Sequence, residues 1–294
     1  DLWQKHHKLL LDRLEGMGVD KLFLEIEVGK LEVFPNRSVE MEMFNKLAHA
    51  KGFKIWASFK HYNVTKNNWQ KTWSFQAKAV QNFNKFVGVS SKFDGIQFDI
   101  KPHLIDDFDL VNVSWQMDFL KSISDLESIL ENLKIYLSIP NWFPGFTEGE
   151  LLSEKLPQYI EGLTIIDFRT ERFDINRTVT PFLNWGERHN KEILVGLETG
   201  EPQFEKRRSY IKSPNGRILL TSMKGDYYLL FLNKNITIPQ SDLYSLAQFK
   251  VVSNKAGSFF GSLNTLFDIL PILESDMAYF LTFQGIALNN LPGF

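Results

Sequence analysis

The stretch Phe93–Lys101 reads FDGIQFDIK, and its alternation decides the fold. Successive side chains of a strand point to opposite faces, so Gln97, Asp99 and Lys101 share one side while Phe98 and Ile100 take the other. A polar row set between large apolar residues fits a strand packed under helices on one face and open to a barrel mouth on the other. On either side of it the chain alternates helical and strand periods. Residues 2–16, 38–50, 72–87 and 113–132 read as helices. Lys21–Val28, Phe53–Phe59, Gly95–Ile100, Lys134–Ile139, Gly162–Phe168, Ile193–Glu198 and Ser258–Leu263 read as strands. Seven such strands at near-regular spacing predict an α/β fold of the (β/α)8 TIM type, with an open doubly wound sheet as the alternative. The count is one short of eight. Because the chain opens on a helix, the expected first strand lies upstream of Asp1 or in an irregular segment.

The rhythm breaks after Glu198. Arg217–Met223 and Tyr227–Leu232, joined by Lys224, Gly225 and Asp226, predict a β-hairpin inserted between the last two barrel strands. The expected organisation is one barrel domain over 1–294, with 203–257 as an inserted segment at the mouth.

Composition narrows the function. The chain has 294 residues with 44% hydrophobic and 23% charged side chains, which is globular composition. Its 33 basic and 35 acidic residues nearly cancel, so no global field favours nucleic acid. There is no cysteine, which removes disulfides, thiolate metal sites and thiol nucleophiles. No apolar run is long enough to span a membrane, so no membrane insertion is expected. Five N-x-[ST] sequons, at Asn36, Asn63, Asn112, Asn176 and Asn235, point to an extracellular or periplasmic location. Aromatic residues make up 14% of the chain, rich for an average domain; much of that is expected in the core and some in a cleft, where sugar rings stack on such faces.

In a barrel of this type the chemistry sits at the C-terminal ends of the strands. Those ends carry Glu25 and Glu27, Lys60 and His61, Asp99, Lys101 and His103, Asn141 and Trp142, Asp167 and Arg169, Glu198, and Asn264. Trp142 in its turn is a candidate stacking platform, while Trp56, Trp69 and Trp73 are expected to pack helix against strand. No G-x-G-x-x-G follows a strand and no Walker A loop occurs, so no nucleotide cofactor is expected. No G-x-S-x-G supplies a serine nucleophile. The histidines show no metal-ligand spacing; only His61 or His103 could join Glu25 or Asp99 around an ion, and no metal is expected.

FDGIQFDIK resembles the DGxDxDxE fourth-strand motif of the chitinase-type glycoside hydrolases, and the related GIxFDxEP pattern of uncharacterised barrel families. Asp94, Gly95 and Asp99 match the motif. Gln97 stands for its first inner Asp, and Lys101 for the Glu that in the family protonates the glycosidic oxygen. Thr164–Phe168 (TIIDF) is similar to the family's sixth-strand pattern, and Gly196–Thr199 (GLET) to a seventh-strand Glu of sugar-cleaving barrels. The resemblance implies a carbohydrate ligand at the mouth. With Lys101 in place of the acid, hydrolysis needs another carboxylate pair. Asp99 as acid or orienter and Glu198 as nucleophile or base are the first candidates, with Lys101 tuning them and Asp167 nearby. Glu25, Glu27, His61, Gln97, His103, Asn141, Trp142, Arg169 and Asn264 would bind substrate. Loss of the acid equally suits a lectin-like barrel, and a buried Lys101 suits, less well, a Schiff-base lyase. An adaptor or structural module is a third class, favoured if the 203–257 insertion covered the mouth and carried an exposed apolar patch.

Overall fold

The computed structural model describes residues 5–26, 38–60, 69–100, 114–131, 133–143, 145–146, 148–202, 204–223, 226–232, 243–253 and 257–290. Two compact units result, one formed by Asp1–Gly200 with Phe259–Phe294, the other by Glu201–Ser258.

The larger unit runs α1 (His7–Gly16), β1 (Lys21–Glu25), α2 (Ser38–Ala50), β2 (Lys54–Lys60), α3 (Trp69–Phe86), β3 (Gly95–Asp99), α4 (Ser114–Leu130), β4 (Lys134–Pro140), α5 (Leu151–Lys155), β5 (Gly162–Ile166), α6 (Arg172–His189) and β6 (Glu192–Glu198). All six strands are parallel and pair in chain order. After the smaller unit the chain returns as α7 (Leu263–Met277) and β11 (Phe283–Asn289), which pairs parallel with β6. An order without reversal has no topological switch point, which removes the doubly wound alternative.

Right-handed crossovers in unbroken order place every helix on one face, and the sheet curls to bury the other. The curl is visible in contacts between strands that are not neighbours. Lys21 Nζ on β1 lies 3.2 Å from the Tyr136 hydroxyl on β4 and 3.4 Å from Glu192 Oε2 on β6. Gln97 Nε2 on β3 donates to Thr164 Oγ1 on β5 at 3.0 Å. The architecture is the TIM-type barrel, with seven parallel strands among the described residues.

The two faces follow the pleat. Outward residues such as Ile55, Phe59, Phe98, Leu137, Ile165 and Val195 form one core with the helices. Trp73 belongs there, its ring 5.3 Å from Phe98 and 5.8 Å from Phe119. Trp56 differs from expectation. It points into the barrel and closes the N-terminal end with Phe23, Tyr136 and Leu194, because its parity is that of Ser58, not of Ile55. Trp69 was expected to pack in the same way; its side chain lies outside the described residues.

That inward Trp56 explains the motif glycine: a Cβ on Gly95 would stand 2.1 Å from the Trp56 ring. Asp94 is equally structural. Its Oδ2 accepts from the Ile55 N–H at 2.6 Å and from the His49 ring at 2.9 Å, tying the start of β3 to β2 and α2.

The expected seventh strand, Ser258–Leu263, is instead a turn leading into α7. Gly261 sits at φ +74°, which ends any extension, and helix begins at Leu263. The alternating SFFGSL pattern imitates a strand locally. The true strand, β11, hides its period behind a register shift between Phe283 and Ile286, with Gly285 at φ +117°.

The smaller unit is a four-stranded antiparallel sheet: β7 (Phe204–Lys212), β8 (Ile218–Met223), β9 (Asp226–Phe231) and β10 (Leu243–Ser253), in the order β7-β10-β8-β9. The expected hairpin is β8–β9, with Met223 opposite Asp226. It falls between the last two barrel strands, as expected, and is half of a larger sheet.

Candidate functional site

A cavity of about 230 Å³ opens at the C-terminal ends of the barrel strands. Every strand of the parallel sheet contributes to its lining. Glu25 comes from β1, Ser58 and Lys60 from β2, Gln97 and Asp99 from β3, and Ser138 from β4. Thr164 and Ile166 come from β5, Gly196 from β6 and Asn289 from β11, with Phe168 and Asn290 just beyond strand ends. The floor is polar and built. Ser58 Oγ donates to Gln97 Oε1 at 2.9 Å, and Gln97 donates on to Thr164. Gln97, where the chitinase-type motif has an Asp, therefore acts as a two-ended bridge across three strands, donating from one end and accepting at the other.

Above that floor, Asp99 is buried beside Lys60, its register partner on β2. Lys60 Nζ lies 2.8 Å from Glu25 Oε2 at the mouth. Phe168 is 44% exposed and gives the cavity one open aromatic wall. Asp99 and Glu25 are the two carboxylates in the lining among the described residues.

Glu198 has inward parity, yet it is engaged as a clamp. Asn289 Nδ2 donates to its Oε2 at 2.7 Å, Asn290 Nδ2 to its Oε1 at 3.0 Å, and the Gly200 N–H to its Oε1 at 2.7 Å. The asparagines that do this line the cavity, while the carboxylate itself is outside the lining.

Asp167 takes the opposite parity from Thr164, Ile166 and Phe168. It is fully buried on the helix side, where Asn141 Nδ2 donates to it at 2.9 Å, the Thr178 hydroxyl on α6 donates to its other oxygen, and Arg169 Nε stands at 3.3 Å. Burial raises its pKa, an effect that the Thr178 bond, the Arg169 charge and the Asn141 bond oppose without cancelling. Asn141 and Arg169 thus serve Asp167 and lie outside the lining, as does Trp142, which is 46% exposed. Asn264 is exposed in the first turn of α7, because the strand expected before it is a turn. Glu27, His61, Lys101 and His103 lie outside the described residues. Among the described residues, no three His, Asp or Glu side chains converge as a metal site requires.

The barrel's other end is closed by charge. Tyr136 donates to Glu192, and Lys21 sits over the Tyr136 ring at 4.8 Å and the Trp56 ring at 5.6 Å. Burial, then Glu192, pushes the Tyr136 hydroxyl far up. Burial also pushes Glu192 upward, but the Tyr136 bond with the Lys21 and Lys134 charges outweighs it, and its carboxyl is held below the ordinary value.

Asn289, Asn290 and Phe168 were absent from the sequence-level site. For the asparagines the signal was available: an apolar run, Ile286-Ala287-Leu288, ending in two amides after a helix.

No protein-family model and no curated protein matches the chain. In structure it is similar to a chitinase from Chromobacterium violaceum, at 13% identity over 97% of this chain and 90% of that one, TM-score 0.44. It is also similar to the Group IV chitinase of Ostrinia furnacalis, at 11% identity over 95% and 86%, TM-score 0.48. For a GH18 chitinase from Pseudoalteromonas aurantia the figures are 17% identity, 57% of this chain and TM-score 0.40, and the chain spans 63% of that protein's length.

Proposed function

We propose that this barrel is a carbohydrate-active protein of the glycoside hydrolase type, secreted, taking a sugar into the cavity at the C-terminal ends of its strands. The observation that carries the reading is the lining itself. Two carboxylates, one lysine, two terminal amides, Gln97 and three hydroxyls converge beside one exposed aromatic face, and sugars are recognised by such polar groups with a ring to stack on. Asp99 is the group assigned to proton transfer at the sugar, with Glu25 as the second carboxylate and Lys60 holding it in place.

A lectin-like barrel is the second reading, favoured by one observation: Glu198, the carboxylate that ends β6, already accepts from three donors. The deciding experiment measures new reducing ends released from a panel of oligo- and polysaccharides, with retained ligand read from the same incubations, for wild type and Asp99→Asn. Turnover lost in the variant supports the hydrolase. Retention without turnover in wild type supports the lectin-like barrel, and neither turnover nor retention overturns both.

A further inference from the structure

Glu198 fixes more than the end of β6. A carboxylate accepts and does not donate, so the atoms that Asn289 and Asn290 turn to it are their NH2 groups. Asn289 Nδ2 stands 2.7 Å from Oε2, and Asn290 Nδ2 stands 3.0 Å from Oε1 and 3.3 Å from Oε2. The carbonyl oxygen of each amide therefore points away from Glu198. Both asparagines line the cavity and Glu198 does not, so the side away from Glu198 is the cavity side. Among the described residues, neither Oδ1 meets a donor.

The arrangement is held from several sides. The Thr199 N–H and hydroxyl both donate to the Asn289 backbone carbonyl, at 2.9 and 2.7 Å. The Gly200 N–H donates to Glu198 Oε1 at 2.7 Å, and a Cβ on Gly200 would stand 2.6 Å from the Asn290 Cβ and 2.9 Å from that oxygen. Only glycine leaves room there for Asn290 to approach Glu198. Asn290 itself sits at φ +56°, in the left-handed region that asparagine adopts more readily than most residues. Two amides fixed in this way need no reordering when a ligand arrives.

The rest of the described lining has the same character. Asp99 and Glu25 accept. Ser58 has given its proton to Gln97, so it offers a ligand lone pairs. Lys60 is already bonded to Glu25 at 2.8 Å. Against these acceptors stand the hydroxyls of Ser138 and Thr164, which can donate.

We infer that the cavity selects a neutral glycan and rejects uronic acids, with Asn289 and Asn290 accepting from neighbouring sugar hydroxyls and Glu198 as the positioning residue that sets their orientation. The inference rests on the carbohydrate reading of the barrel and names its substrate class. A sugar hydroxyl donates to a carbonyl oxygen. The carboxylate of a uronic acid cannot, and set against carbonyl oxygens and carboxylates it would lose its water without replacement.

The test measures binding of cello-, manno-, galacto- and chito-oligosaccharides to the full chain by calorimetry, each beside the same oligomer oxidised at C6 to the uronate. Wild type should bind one or more of the neutral oligomers about tenfold or more tighter than the oxidised partner. In Glu198→Gln one of the two asparagines meets an NH2, flips and presents its own NH2 to the cavity, so the neutral-to-uronate ratio should narrow several-fold. A merely structural role would lower both affinities together and leave the ratio as it was. Asn290→Gly, which suits the positive φ, removes one acceptor and should weaken the neutral oligomer several-fold in a chain that stays folded; it keeps the test open if Glu198→Gln does not fold. Equal or tighter binding of the uronate by wild type, an unchanged ratio in folded Glu198→Gln, or unchanged neutral affinity in Asn290→Gly would each overturn the inference and leave the carbohydrate reading standing. Wild type that binds no oligomer of either kind removes the carbohydrate reading, and the inference with it.

Discussion

Asn289 Nδ2 lies 2.7 Å from Glu198 Oε2, so the last strand of the sheet holds the carboxylate that ends its neighbour. Asn290 and the Gly200 N–H also donate to it. Glu198→Gln puts an NH2 where one of these donors now meets an oxygen. A charge-assisted bond is worth about 1–3 kcal/mol, so the variant should lose about that much stability in urea. Its affinity for a cavity ligand should fall only as far as Asn289 and Asn290 are displaced.

Asp99→Asn should behave in the opposite way. Asp99 faces the cavity and not a helix, and removing a group that transfers a proton costs roughly 100- to 10,000-fold in turnover. The urea midpoint should stay close to wild type, and kcat on the best substrate of the panel is the quantity to follow.

Phe168→Ala removes the open aromatic wall. Stacking of this kind contributes about 0.5–1.5 kcal/mol, so ligand affinity should fall several-fold with little change in melting temperature. Trp142→Ala, outside the lining, should leave that affinity unchanged. Calorimetric titration of both variants with the same oligosaccharide checks the pair.

Gly95→Ala should be far more damaging than its one methyl suggests. The added Cβ meets the Trp56 ring at 2.1 Å, inside a closed end packed by Tyr136, Phe23 and Leu194. Overpacking costs typically about 1–3 kcal/mol and more where neighbours cannot move. Thermal unfolding of the variant should show a clear drop in melting temperature, and Gly95→Ala with Trp56→Leu should recover part of it.

Acid should find the Glu192 site. Its carboxyl is held below the ordinary carboxylate value of 4.5 in the folded chain, so the folded state binds its proton less readily than the unfolded state does. The stability it contributes is present above pH 4.5 and is lost as pH falls through the lowered folded value. Asp167 has the reverse sign: its value is raised above 3.8, so stability falls as pH rises through that window. Glu192→Gln should flatten the acid limb of the stability profile, and Asp167→Asn should remove the opposing slope. Urea midpoints measured from pH 3 to 7 read both.

Much of the molecule was legible in the order of its residues. The six strands from Lys21 to Glu198 follow from alternation and apolar content, because a strand buried on both faces must be written in the sequence as such. The inward parity of Gln97 and Asp99 follows from the same period. What failed was local imitation: Ser258–Leu263 alternates like a strand until Gly261 turns it, and β11 loses its period at a bulge. Asn264 was misplaced with the first, and Asn289 and Asn290 were overlooked with the second.

By itself, then, the sequence determined the repeating βα order and the polar row on β3, since each depends on spacing alone. Only the tertiary structure decided which carboxylates share a cavity. Asp99 and Glu25 line it together because β1, β2 and β3 pair side by side with their C-terminal ends on one edge; Asp167 is turned away by one step of parity, and Glu198 is taken up by amides 91 and 92 residues further on. Partners that distant in sequence are brought together by the pairing of β11 against β6, which no local pattern records.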